Sequence, residues 1–281
     1  MDGFFYINKK PNMTSYDVIR AIKKQFGFKR IGHTGTLDPL ASGLIVLCIG
    51  KATKLAHEIT NFNKTYEATI VFGNHYDTYD ITGKIINYLE PPKTIDLKAL
   101  ENEFTSSYYQ EPPMYSAIKK DGKKLYQLAR DNINFDREKR LVHIYDLKVL
   151  NNYENNRLNI KALVSKGTYI RSLAYDIGRY LNTYGAIESL IRTEIGNITL
   201  DLAKDLDNLE INDLITLETY LKKYPKIILD DYLIHLVKNG VYLDERQTSI
   251  DSNFVVYNNK DKMIAYYEKL ENNKYKPILI L

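Results

Sequence analysis

Gly32-His33-Thr34-Gly35-Thr36-Leu37-Asp38-Pro39-Leu40-Ala41-Ser42-Gly43 leads directly into the apolar run Leu44-Ile45-Val46-Leu47-Cys48-Ile49. The apolar run reads as a buried strand, which places the loop before it at the rim of a sheet. Three glycines and a proline surround Asp38. Such a backbone can hold one carboxylate in a fixed pose while a ligand approaches closely. Pro39 also restricts Asp38 to extended conformations. The same residue types make an ordinary turn-rich connector, so the stretch by itself defines only a candidate acid. It is not a phosphate-binding loop. Gly50-Lys51-Ala52-Thr53 lacks both the Ser or Thr next to Lys51 and a glycine at the required upstream spacing.

Working outward, residues 4–7 predict a short strand. Ser15 is expected to cap a helix with Val18, Ile19, Ile22 and Phe26 on one face, closed by Gly27. Beyond the loop we expect a helix over 52–59 and a strand over 66–72. Asp121-Gly122 marks a tight turn, and strands 142–149 and 158–164 pair through an Asn-rich turn. Helices are expected at Leu97–Phe104, 124–130 and 170–181. They are interspersed rather than alternating regularly with strands. This favours an α+β fold, with a mixed but mainly antiparallel sheet flanked by helices, over a doubly wound one. After Asp201 the spacing predicts a helical connector ending near Pro225. A helix at Asp231–Lys238, strands at Phe254–Tyr257 and 263–268, and a final strand with Pro277 at its start then form a small β-rich domain. The resulting division is 1–210, a connector 211–225, and 226–281.

Composition sets only broad bounds. The 281 residues, 44% hydrophobic and 26% charged, describe an ordinary globular chain. A net charge of +4 permits an RNA partner but is too slight to predict one. The 24 tyrosines accompany abundant Asn, Lys and Ile, as AT-rich codons would produce, and carry no functional weight. The single cysteine, Cys48, cannot form a disulfide within the chain and sits in an apolar run, so a buried thiol in a reducing compartment is expected. No secretory signal or apolar span of membrane length is visible, which makes the cytoplasm the expected location. His33, His57, His75, His143 and His235 lack the close spacing of metal ligands, and no metal site is predicted.

The Gly32–Gly43 loop closely resembles the catalytic motif of the TruB family of pseudouridine synthases, and further blocks follow in that family's order. They are Tyr66 with Asp77-Thr78-Tyr79-Asp80 and Gly83, then Pro112-Pro113-Met114-Tyr115-Ser116-Ala117 with Lys119, Gly122, Tyr126, Ala129 and Arg130. Ser165-Lys166-Gly167-Thr168-Tyr169-Ile170-Arg171 comes next, then Gly185-Ala186 with Leu190, Arg192-Thr193 and Gly196. Lys238-Asn239-Gly240, Val255-Val256-Tyr257 and Lys276-Pro277 are similar to the small PUA-type RNA-binding domain that often follows this catalytic domain. Three positions depart from the family's pattern. The family's Lys-Pro-x-Gly turn is replaced by Lys9-Lys10-Pro11-Asn12, with Asn at the Gly position; Tyr76 stands for Thr, and Ser42 for Thr. Asn tolerates left-handed geometry, so the turn is expected to survive.

The resemblance implies isomerisation of uridine to pseudouridine at position 55 in the T-arm of tRNA. The N1–C1′ bond breaks, the uracil turns, and C5 joins C1′, with no metal or organic cofactor. It implies base flipping, a monomer, no obligatory protein partner and no membrane. Asp38 becomes the essential carboxylate. Burial alone disfavours a charged carboxylate, so Arg171 is expected to grip it bidentately. Tyr66 is the expected platform for the extracted uracil, while Tyr169 and Leu190 wall the base pocket. His33 is expected to brace the loop or contact RNA. Lys9, Lys10 and Lys119, with Lys120, Lys123 and Lys124, are candidate phosphate contacts. An RNA-binding tRNA-folding chaperone, which would share the basic residues but not need Asp38, is the alternative from another class. A guide-RNA-dependent synthase is the alternative among enzymes.

Overall fold

Phe4-Phe5-Tyr6-Ile7 is buried at every position, on both faces of a central sheet. That is why the apolar runs at 4–7 and 44–49 are continuous rather than alternating. The computed structural model describes residues 1–116, 119, 120, 123, 124 and 137–281, the four lysines 119, 120, 123 and 124 by backbone alone. These residues form an α+β fold around an eleven-stranded mixed sheet. Its main path runs Lys204–Asp205, Gly3–Lys9, Ser42–Ile49, Gly185–Ile195, Lys64–Phe72, Arg157–Val164, Arg140–Val149, Ser107–Gln110. Pairing is mainly antiparallel. One parallel contact matters for the site: Ile191 lies opposite Ser42, and Arg192 opposite Gly43.

Helices Ser15–Phe26 and Ile170–Tyr180 cover one face, around a core that includes Phe5, Ile7, Leu37, Ala41, Ile45, Leu173 and Ile177. The first helix begins at Ser15, its expected cap, so that its start and its cap each fall one residue earlier than expected. Thr14, not Ser15, is the N-cap: its hydroxyl accepts from Asp17 N at 3.1 Å, and Asp17 Oδ2 accepts from Thr14 N at 2.9 Å. Ser15 is unavailable because its Oγ accepts from Leu37 N at 2.8 Å and donates to Leu37 O at 3.1 Å. Gly27, at φ 71°, closes the helix as expected.

The helix expected over 52–59 divides into a 3-10 stretch, Gly50–Leu55, and an α-helix, Ala56–Asn61. Arg140–Val149 and Arg157–Val164 pair antiparallel, as expected. Lys119–Lys120 pairs antiparallel with Lys123–Lys124, so Lys124 is in a strand. The remainder of the expected helix, 125–130, and the Asp121-Gly122 turn lie outside the described residues.

The stretch before Pro225 is not a helical connector. It contains 3-10 turns at Leu200–Leu202, Leu206–Asn208 and Ile211–Asp213, two short strands that pair with Gly3–Lys9, and a short helix, Leu217–Leu221. Asp or Asn recurs at 201, 205, 207, 208, 212 and 213, and these side chains compete for backbone groups and favour turns over helix. Beyond it, Lys226–Ile228, Phe254–Tyr257, Met263–Lys269 and Tyr275–Ile280 form a second sheet with helix Asp231–Lys238. Pro277 is the third residue of its strand, not the first. The strand is at the edge and irregular beside Tyr267, so the missing N–H costs no ladder bond.

The second sheet covers the other face of the central one. Phe4, Tyr6, Leu44, Val46 and Cys48 share an apolar core with Val255, Tyr257, Met263, Tyr266 and Leu279. At this junction Glu58 accepts hydroxyl protons from Tyr220, Tyr224 and Tyr266 at 3.3, 2.5 and 3.0 Å. Among the described residues no helix is long and apolar enough to cross a membrane.

Candidate active site

The Asp38 loop is fastened from below by groups far apart in the chain. Ser15 holds Leu37 on both its N–H and C=O, and Thr34 N donates to Val46 O at 3.1 Å. Asn12 N donates to Pro39 O at 2.7 Å, and Asn12 has φ 63°, the left-handed turn expected of it in place of glycine. Gly43, at φ 98°, is obligatory for another reason. A Cβ there would lie 2.4 Å from Arg192 O, across the parallel contact.

Arg192 is 1% exposed and also reaches the loop with its side chain. Nε donates to Leu44 O at 2.7 Å and Nη2 to Gly35 O at 3.2 Å. His33 Nδ1 accepts from Gly35 N at 3.3 Å, which leaves its proton on Nε2. Burial lowers the His33 pKa, with the Arg192 charge adding to the effect. His33 therefore sits as a neutral brace under the loop.

Lys9 requires a correction. It was an expected phosphate contact, but its side chain is inside the protein, 0% exposed. Nζ donates to Lys10 O at 3.0 Å and Met13 O at 2.8 Å, stitching the turn that carries Asn12. Burial lowers its pKa to about 8, against the opposing influence of Asp38. An ammonium held this way offers nothing to a phosphate. Lys10 is exposed and paired with Asp207. The side chain of Lys119 lies outside the described residues.

Arg171 comes from the first turn of Ile170–Tyr180. Its Nε donates to Asp38 Oδ2 at 2.8 Å and Nη2 to Asp38 Oδ1 at 3.1 Å, a bidentate pair. Nη2 also donates to Tyr115 O at 2.8 Å and Nη1 to Thr78 O at 2.9 Å, with Asp80 Oδ2 at 3.7 Å. The guanidinium is sealed at 5% side-chain exposure while the Asp38 side chain remains 36% exposed. The arrangement therefore presents an oriented carboxylate to solvent and hides the cation that orients it.

Asp80 was quoted within a motif but not singled out as a site residue. It is 5% exposed and accepts from Thr82 N and Thr78 Oγ1, each at 3.0 Å. It also accepts from Thr82 Oγ1 at 2.5 Å. Its signal in the sequence was the Thr-x-Asp-x-Thr spacing of 78, 80 and 82, which favours such local bonds. Arg192 was likewise missed as a brace, because nothing near it in sequence shows that it lies beside Gly43.

Tyr66 stands opposite Arg192, and Ala68 opposite Leu190, so Tyr66 and Leu190 share one face of the sheet. Both pack on the core that contains Leu37 and Ala41 of the Asp38 loop. Burial raises the pKa of the Tyr169 hydroxyl, and the negative charge of Asp38 adds to it. The Ser116 hydroxyl, buried beside Tyr115, lies next to that of Tyr169 and opposes this rise. The structure thus pairs Arg171 with Asp38, brings Tyr169 within reach of the Asp38 charge, sets His33 against Gly35 of the same loop, puts Tyr66 and Leu190 on one sheet face packed on the core beneath it, and keeps Lys9 off the surface.

Known proteins resemble this chain in sequence and in fold. The family described as "TruB family pseudouridylate synthase (N terminal domain)" matches residues 23–170. Proteins named tRNA pseudouridine synthase B are similar along the whole chain. That of Onion yellows phytoplasma is 48% identical, covering 99% of each chain, and that of Acholeplasma laidlawii is 46% identical, covering 98% of each. Among solved structures, a chain of a Cbf5-Nop10-Gar1 complex superposes with a TM-score of 0.70 at 22% identity, covering 99% of this chain and 84% of that one. That likeness bears on the fold. With the motif blocks in order and matching relatives over nearly the full length, the chain belongs to the TruB family of pseudouridylate synthases.

Proposed function

We propose that this chain isomerises uridine to pseudouridine in tRNA, acting on position 55 of the T-arm with Asp38 as its essential carboxylate. The observation that carries this reading is the bidentate Arg171–Asp38 pair, which holds a partly exposed carboxylate in a fixed pose on a buried cation. Whether it adds to the base or the ribose or takes a ribose proton, the group that acts is an oriented carboxylate. The glycosidic bond of a paired or stacked uridine is inaccessible, so the nucleotide must be flipped out to meet Asp38. Tyr66 would stack on its base, with Tyr169 and Leu190 as walls.

The second sheet, 226–281, would act as a PUA-like RNA-binding domain, and the chain would work as a monomer without a protein partner. The experiment is pseudouridine formation by the isolated chain on unmodified tRNA and on a bare T-arm stem-loop. Conversion at position 55 that disappears in Asp38→Asn is the expected result. Conversion that persists in Asp38→Asn overturns the catalytic assignment. RNA binding without conversion by the wild type favours the chaperone reading, and conversion only with added guide RNA and partners favours the guided one.

A further inference from the structure

Along the helix that carries Arg171, a line of hydrogen bonds joins four residues in one direction. Tyr169 N donates to Gln110 Oε1 at 2.8 Å, Gln110 Nε2 donates to Tyr108 Oη at 2.9 Å, and Tyr108 Oη donates to Asp176 Oδ2 at 2.9 Å. A backbone N–H can only donate, so Gln110 must turn its oxygen to Tyr169 and its amide nitrogen to Tyr108. The Tyr108 proton then needs an acceptor elsewhere, and an ionised carboxylate can only accept. The chain has one allowed polarity, begun by the Tyr169 N–H and ended on Asp176 as the acceptor.

The residue at the other end matters to the site. Tyr169 is the N-cap of the helix that carries Arg171, and Tyr169 O accepts from Leu173 N at 3.0 Å. Ser172 Oγ adds a second tie, donating to Glu111 O at 2.7 Å. The strand Ser107–Gln110 and Glu111 just beyond it thereby hold the first helical turn, from which Arg171 reaches Asp38. Burial keeps the Tyr108 hydroxyl protonated by raising its pKa well above the usual value, with the Asp176 charge adding to it. Burial also raises Asp176 to about 6; Glu111 reinforces this, and the Tyr108 hydrogen bond and Lys139 oppose it. Glu103 and Arg179 line the same hollow.

We propose that Asp176, acting through Tyr108 and Gln110, is a positioning residue that fixes the Tyr169–Arg171 turn and with it the pose of Asp38. It touches no substrate. Its effect is on the geometry of the reacting carboxylate, where small displacements are costly in rate. The inference uses the proposed reaction for one of its readouts and stands on a second that needs no activity.

The test uses the full chain with Tyr108→Phe, Asp176→Leu, the double variant, and Gln110→Leu, which removes both the acceptor for Tyr169 and the donor to Tyr108. Two quantities are measured: exchange of the Tyr169 amide proton, and the single-turnover rate and affinity on an unmodified T-arm stem-loop. Each single variant is expected to speed Tyr169 exchange and to slow conversion about tenfold, the loss typical of one loosened hydrogen bond. Affinity should remain within about twofold, since no RNA contact is removed. The double variant should be no slower than Tyr108→Phe, because both cut one chain. Unchanged exchange, losses that multiply in the double variant, or affinity falling in step with rate overturns the inference. Asp176→Leu, close in size and without an acceptor for the Tyr108 hydroxyl, carries the test if Tyr108→Phe does not fold. A wild type that forms no pseudouridine refutes the proposed reaction, while the exchange result still decides the role of Asp176.

Discussion

Arg171 meets both carboxylate oxygens of Asp38, with Nε and Nη2 at 2.8 and 3.1 Å, from a helix far along the chain from the Asp38 loop. Its remaining donors are taken by Tyr115 O and Thr78 O, with Asp80 alongside. The geometry makes the guanidinium a fixed frame for the carboxylate. A point charge could balance Asp38 but could not hold its plane.

Arg171→Lys is therefore expected to lower the conversion rate on tRNA about a hundredfold while leaving RNA affinity nearly unchanged. Asp80→Asn, which keeps shape but removes a buried charge beside Arg171, should cost about tenfold in rate and about 1–3 kcal/mol in stability. Single-turnover assays and denaturant unfolding measure the two effects. Wild-type rates in Arg171→Lys would remove the framing role.

Lys9 gives a pH signature. Its folded pKa is lowered to about 8 from 10.5, so below pH 8 the ammonium is present in both states and its burial penalty is felt in full. As pH rises above 8 the folded state releases its proton first, and stability increases until the unfolded state follows. Wild type should therefore gain on Lys9→Met between pH 7 and pH 10, by about 2 kcal/mol. Urea unfolding at the two pH values checks this. Because Lys9 is buried, Lys9→Met should also leave the salt dependence of RNA binding unaltered, and a shallower salt slope would restore it as a phosphate contact.

Two backbone positions in the site should respond to different degrees. Asn12→Gly keeps the left-handed turn and should change stability by only a few tenths of a kcal/mol, whereas Asn12→Ala should cost about 1 kcal/mol. Gly43→Ala forces a Cβ against Arg192 O and should cost about 3 kcal/mol or more, with loss of activity. Thermal unfolding of the three variants distinguishes conformational strain from steric collision.

At the junction of the two sheets, Glu58 receives the hydroxyls of Tyr220, Tyr224 and Tyr266. Glu58→Gln substitutes a donor for one accepting oxygen, so at least one buried phenol loses its partner. A destabilisation of about 1–3 kcal/mol is expected. Tyr266→Phe in the Glu58→Gln background should add less than it does alone, because the two changes share one interaction. Additive losses in this double-mutant cycle would mean that the hydroxyls are not coupled through Glu58.

Local pattern carried some elements to the residue: Leu97–Phe104, Asp231–Lys238 and Phe254–Tyr257 fall where the spacing puts them. Elsewhere it fell short for physical reasons. Thr14 and Ser15 are equally good caps by type, and only the distant Leu37 backbone claims Ser15. Lys9 reads as a surface cation until the loop folds over it. The region before Pro225 has enough leucine for a helix, but its Asp and Asn side chains and the open edge of Gly3–Lys9 draw it into turns and short strands.

By itself the sequence determined the α+β class, the family to which the chain belongs, and the loop around Asp38, because these rest on local periodicity, turn chemistry and ordered motifs. The ordered motifs also named Arg171 as the cation for Asp38, whereas tertiary structure alone decided that Arg192 and Lys9 serve as internal braces and that Asp176 is joined to Tyr169. Those relationships link residues from separate strands and helices, and hydrogen-bond direction and burial exist only once the sheet has brought them together.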